Sequence, residues 1–243
     1  MACCRFQRKT LDPRTLIRFA LSGGGFPFLI WLAIDDGDGG DFLNLFLTYF
    51  QFIVPFSCVI LCGGLIRNEV QEDTLSFFIT RPVTRVKLML GKYLAAILFL
   101  SLGLAIELGM ILQVGKLKGI EFSSAILGTT LVAQTMGIFS WGALGALFGI
   151  FTTKPILWAF IYGFIVEFGI GRIPTNVNNL SIMNHLHALL AQNPVFAEFE
   201  SQWVADGMTW HFLILLVAPI ILIGLASIGF KIREFHPGLE GQK

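Results

Sequence analysis

Glu107 and Glu167 each stand inside a long apolar run, toward one end of it. An acid there carries a desolvation penalty, so it normally faces protein, water or a partner charge. Each glutamate either lines a polar path or an interface between subunits, or reaches the headgroups or stays protonated and hydrogen-bonded. The sequence leaves both open. Met183, His185 and His187 are residue types that take a soft metal such as copper. The two histidines are two positions apart, however, so a helix turns them to different faces, and no third ligand is evident. Cys58 and Cys62 fall on one helix face and read as small packing residues. Cys3 and Cys4 adjoin Arg5, Arg8 and Lys9, where an acyl chain would be compatible, and no zinc spacing exists. Gly109-Met110-Ile111-Leu112-Gln113-Val114-Gly115-Lys116-Leu117 falls short of a phosphate-binding loop. One residue too many separates its glycines, and Leu117 stands where Ser or Thr would hold magnesium. Neither paired catalytic carboxylates nor an activated serine appears. No catalytic, cofactor-binding or metal-binding residues are therefore assigned.

The elements that position these side chains follow from composition. The 243 residues are 55% hydrophobic and 14% charged, with mean hydropathy +0.74. Soluble domains carry about 25% charged residues, so this chain cannot cover a water-facing surface of its size. A soluble enzyme and a disordered chain are both disfavoured. A net charge of +1 lacks the basic face that nucleic acid requires. The lipid bilayer is the expected solvent.

Apolar runs between polar breaks predict six spans of the length a bilayer needs: Leu16–Ile34, Leu43–Ile66, Leu88–Leu112, Phe122–Phe151, Pro155–Gly171 and Trp210–Phe230. The expectation is an all-α polytopic membrane protein with six transmembrane helices in a single domain over residues 1–243. Fourteen of the 17 basic residues precede or open the first span, or follow the second, fourth and sixth; only Lys116, Lys118 and Arg172 lie opposite. The positive-inside rule then places both termini in the cytoplasm. Residues 1–15 read as a basic, amphipathic cytoplasmic segment rather than a cleavable signal, because no small-residue cleavage site follows the apolar run. The stretch 172–209 lies outside. In it Leu180, Met183, Leu186, Leu189 and Leu190 recur at helical spacing, predicting a short amphipathic helix on the outer surface that ends near Asn193-Pro194. Gly145 and Gly149, with Gly142 and Ala146, form small-residue rows that permit close helix approach within or between subunits. Gln134, Thr135 and Ser140 either line a path or bond across helices, packing being the expected role.

The inner loop between the second and third spans is unusually long and charged. Residues 69–79 read as helical, with acids at the start and Arg81 at the end, matching the helix dipole. Pro82 turns the chain out of the helix. Apolar and charged positions mix, which suits either docking into a groove on a soluble partner or resting on lipid.

The run Glu69-x-x-Glu72-Asp73-Thr74-Leu75-x-x-Phe78, with Arg81, Pro82-Val83-x-Arg85 and then Gly91-Lys92-Tyr93, resembles the coupling segment of the ABC-2 family of transporter permeases. Glu167, Pro174 and Leu180-Ser181-Ile182 resemble that family's fifth span and outer segment. Asp73 departs from the usual glycine and Thr84 from the usual serine. The resemblance implies a non-catalytic permease subunit of an ABC exporter-type complex. Residues 67–87 would be a cytoplasmic coupling segment in which Glu69, Glu72, Asp73, Thr74, Leu75, Phe78, Arg81, Pro82 and Arg85 engage a separate ATPase. It further implies two ATPase copies binding ATP and Mg, a second permease of the same or a related kind, and insertion in a bacterial inner (plasma) membrane. Glu107 and Glu167 become pathway or interface candidates, and an extracytoplasmic accessory protein is compatible with the outer loops. Two rival readings are a membrane anchor that transmits force without moving a solute, and an ion-coupled transporter using Glu107 and Glu167.

Overall fold

The computed structural model describes residues 25–35, 37–65, 84–120, 125–172, 176–193, 195–196 and 207–232. Among these the chain is helical, without strands. Helix α1 covers residues 25–33. Helix α2 runs Gly39–Gly63, α3 Arg85–Leu117, α4 Ala125–Phe151, α5 Pro155–Gly169, α6 Ile182–Leu190 and α7 Met208–Ile232. By length and composition α2, α3, α4 and α7 can each cross a membrane, while α5 is apolar but shorter. They match the expected second, third, fourth, sixth and fifth spans. The first span is described only from residue 25 onward. Residues 1–24, Pro174 and the segment 66–83 lie outside the described residues.

Helix α3 has 33 residues, hence a length of about 50 Å at the α-helical rise. That exceeds the roughly 30 Å of hydrocarbon in a bilayer, so the helix extends well beyond the Leu88–Leu112 expected of it. In α2 a π-helical stretch, Tyr49–Ile53, separates two α-helical halves. Pro55 explains it: its ring crowds the preceding turn and it has no N–H to donate, so the ladder loosens just before it. Pro219 interrupts α7 in the same way and leaves the Leu215 carbonyl without its usual helical donor. The buried Ser140 hydroxyl of α4 donates to that carbonyl at 3.5 Å, a bond between helices of the kind expected of Ser140.

Two compact units divide the chain, one within Met1–Ile53 and Leu102–Phe122, the other within Val54–Ser101 and Ser123–Lys243. In the first, Asp38 caps α2 by accepting from the Asp41 N–H at 3.0 Å. Gly37, at φ +85°, makes the turn from α1, and its N–H donates to the Lys118 carbonyl at 2.8 Å. An L side chain rarely adopts that backbone angle. Phe42, Phe46, Tyr49 and Phe50 are fully buried on α2, and the Tyr49 hydroxyl donates to the Leu104 carbonyl at 3.1 Å. The Lys118 ammonium lies 5.5 Å from the centre of the Trp31 ring, within cation–π range.

The second unit is organised around α4. Gly142, Gly145 and Gly149 make close contacts within this chain. A Cβ on Gly145 would stand 2.9 Å from the Val59 Cα of α2, one on Gly142 would stand 2.8 Å from the Ile97 Cδ1 of α3, and one on Gly149 would overlap the Gly63 backbone. These glycines let α2 and α4 pack backbone to backbone. The helix expected near Leu180–Leu190 forms as α6, and most of its side chains face protein. Ile182, Met183, Asn184, His185, Leu186, Ala188, Leu189 and Leu190 are buried, because α6 packs against both α4 and α7. Apolar side chains at helical spacing serve a protein interior as well as a lipid surface, so periodicity alone did not distinguish them.

Candidate functional site

The coupling residues Glu69, Glu72, Asp73, Thr74, Leu75, Phe78, Arg81 and Pro82 lie outside the described residues. Their flanks are described. On one side α2 ends at Gly63, and a turn closes with the Leu65 N–H donating to the Cys62 carbonyl at 3.3 Å. On the other, Thr84 caps α3: its hydroxyl accepts from the Lys87 N–H at 3.4 Å and its carbonyl from the Leu88 N–H at 3.1 Å. Arg85 is the first residue of α3 and half-buried. Two turns further along, the buried Lys92 ammonium donates to the Leu65 carbonyl at 3.0 Å. Next to it the Tyr93 hydroxyl donates to the Phe139 carbonyl of α4 at 2.8 Å. Sequence reasoning placed Gly91-Lys92-Tyr93 in a motif but not these bonds, whose acceptors are backbone atoms and leave no sequence signal.

Glu167 sits in the π-helical second half of α5, Gly163–Gly169, and is 7% exposed. Its carboxylate accepts from the Ser181 hydroxyl, from the Ile182 N–H at 3.0 Å and from the Met183 N–H at 3.0 Å. Ser181 in turn accepts from the Asn184 N–H at 3.0 Å. The first backbone donors of α6 therefore have acceptors supplied by a serine cap and by a glutamate from the preceding helix. Negative charge at a helix start is favourable. Tyr162, one helical turn before Glu167, donates to the Leu180 carbonyl at 3.1 Å. Glu167 thus ties α5 to α6.

Glu107 is 1% exposed on α3, and its Oε1 has no hydrogen-bond partner among the described residues. The two carboxylates therefore sit in different circumstances and in different units. His185 and His187 do face different ways. The His185 Nδ1 lies 2.7 Å from Nδ1 of the buried His211 on α7, and its Nε2 lies 3.0 Å from the Asn179 carbonyl. A carbonyl only accepts, so Nε2 of His185 donates to it; with a neutral His185 ring, His211 supplies the shared proton. His211, 26 residues along, was not legible as the partner. Burial pushes the His187 imidazole down to about 4. No group of three metal-ligating side chains occurs among the described residues. Gly109–Leu117 lies wholly within helix α3, so no phosphate-binding loop forms there.

This arrangement offers helix ends tied to one another and carboxylates held inside apolar helices. No curated protein and no solved structure matches the chain. Residues 21–173 match the family described as ABC-2 family transporter protein. The matched stretch covers well over half of the 243 residues and includes α1 to α5 and the whole of the 66–83 segment. With four helices able to cross a membrane and this match, the chain is an integral membrane protein that belongs to the ABC-2 family of transporter proteins.

Proposed function

We propose that this chain is the permease subunit of an ATP-driven ABC transporter, forming the translocation path as a dimer. The observation that carries the proposal is the family match, which runs through the segment between α2 and α3. The family in general provides a non-catalytic membrane component partnered by an ABC ATPase. On this reading six spans enclose half of a pathway, with both termini in the cytoplasm of a bacterium and the chain in its inner (plasma) membrane. The helix over residues 69–79 grips a separate ATPase, with Glu69, Glu72, Asp73, Thr74, Leu75, Phe78, Arg81, Pro82 and Arg85 as the coupling residues. Two ATPase copies bind ATP and Mg, and two permeases, identical or related, pair about an axis normal to the membrane. Closure of the ATPase pair on ATP pushes the segment, and α2 and α3, attached at its two ends, carry the stroke outward. Glu107 and Glu167 belong to the pathway or to the permease interface, where a buried carboxylate is worth its insertion penalty. An extracytoplasmic accessory protein has the acidic loop Asp35–Asp41 and the outer stretch 172–209 to dock on.

Purification of the tagged chain from its native membrane tests this. A stoichiometric ABC ATPase is expected in the eluate, and Glu72→Lys or Asp73→Lys should lower its recovery while membrane insertion is unchanged. Recovery of the chain without any ATPase, or full recovery with both charge reversals, contradicts the proposal.

A further inference from the structure

We infer that Lys92 is a positioning residue that fastens both roots of the coupling segment into one rigid piece. This rests on the coupling reading above. Lys92 is 6% exposed on α3, two turns from the Thr84 cap at which the chain leaves the segment. Its ammonium donates to the carbonyl of Leu65, the last described residue before the segment begins.

Three physical facts give this bond its weight. The last carbonyls of a helix have no donor within it, and α2 ends at Gly63, two residues before Leu65. A cation at a helix C-terminus is favoured by the dipole. A lysine that loses nearly all contact with solvent is retained only where acceptors meet its charge.

Neighbouring contacts turn one bond into a frame. The end of α2 is seated on α4, where a Cβ on Gly149 would overlap the Gly63 backbone, and a Cβ on Gly63 would stand 3.1 Å from Pro155 of α5. Tyr93 ties the same turn of α3 to the Phe139 carbonyl of α4 at 2.8 Å. Adjacent residues of α3 thus donate in two directions, Lys92 to the turn after α2 and Tyr93 to α4. Gly91 contributes no packing of its own, since a Cβ there would meet nothing within 4 Å. A push on the segment therefore reaches α2 and α3 together rather than being absorbed by the end of α2.

The test compares Lys92→Met, Lys92→Arg and Tyr93→Phe in the full chain, purified with its ATPase. Hydrogen exchange of the peptide covering Cys62–Leu65 is expected to quicken about ten- to a hundredfold in Lys92→Met, the weight of a hydrogen bond from a charged group. Lys92→Arg restores the protection, and Tyr93→Phe leaves that peptide unchanged. ATPase recovery stays within about twofold of wild type in Lys92→Met, while ATP turnover of the complex falls about tenfold and Lys92→Arg recovers it. Unchanged exchange in Lys92→Met overturns the inference, as does an equal effect from Tyr93→Phe. Loosened exchange with normal turnover overturns the positioning role and leaves the coupling reading standing. Wild type that carries no ATPase overturns the coupling reading, and this role with it. Should Lys92→Met fail to accumulate, amine labelling of the wild type decides: Lys92 is expected to react at least about tenfold more slowly than the exposed Lys87, and an equal rate overturns the bond.

Discussion

Replacing Glu167 with alanine should loosen α6 and destabilise the whole second unit. The carboxylate accepts the Ile182 and Met183 N–H groups, each at 3.0 Å, together with the Ser181 hydroxyl. All of these sit where α6 is buried against α4 and α7. A buried donor left without an acceptor costs about 1–3 kcal/mol, so two orphaned N–H groups cost roughly 2–6 kcal/mol before water enters. Taking about 3 kcal/mol, and about 2–4 °C per kcal/mol for a chain of this size, Glu167→Ala should melt roughly 6–12 °C below wild type. Glu167→Gln retains one acceptor oxygen but places an amide against the second N–H, so it should fall between the two. Ser181→Ala removes a helix cap at about 1 kcal/mol. The assay is thermal unfolding of detergent-purified protein at neutral pH, followed by tryptophan fluorescence. Glu167→Ala melting within about 2 °C of wild type would refute the reasoning, because Glu167 would then not hold α6.

Two further predictions follow from packing and titration. Gly149→Ala should lower the melting temperature by about 5 °C or more, since the new methyl meets the Gly63 backbone, which cannot swing aside as a side chain would. Gly91→Ala, with open space at its Cβ, should be neutral or slightly stabilising through helix propensity. Equal melting of the two variants would contradict the close seating of α2 on α4. His187 is held neutral by burial, its value pushed down from 6.5 to about 4. The unfolded chain therefore takes up the proton first as pH falls, and stability present above pH 6.5 drains away toward about pH 4. A His187→Leu variant should show a flatter melting temperature across that window than wild type, and an identical slope would contradict the assignment.

Much of the helical frame was legible because apolar runs of bilayer length leave little choice of element. Helix α5 starts at Pro155 as expected, since the proline's missing N–H is harmless at a helix start. The end of α3 was misjudged by five residues, from Leu112 to Leu117. Gln113 and Lys116 close the apolar run there, but a helix continues past the hydrocarbon when its backbone bonds are satisfied within itself. The π-helical stretches of α2 and α5 have no compositional signature beyond the nearby Pro55. Gly145 and Gly149 advertised close packing, while their partners Val59 and Gly63 became visible only in three dimensions. In the same way Glu167 was singled out as a carboxylate in an apolar run, yet its hold on α6 depends on backbone N–H groups that every sequence possesses. The run from Glu69 to Arg85 was the strongest functional signal through its resemblance to the family's coupling segment, since its mix of apolar and charged positions alone fits a soluble partner and a lipid surface equally.

The central claim is that the segment between α2 and α3 touches an ATPase. Site-specific photo-cross-linking in native membranes tests it most directly, with a benzophenone side chain in place of Asp73 and a control in place of Asp38. The account predicts an adduct between position 73 and an ATP-binding subunit, absent from position 38. Adducts from position 73 confined to lipid, or to a protein on the outer side of the membrane, would contradict it.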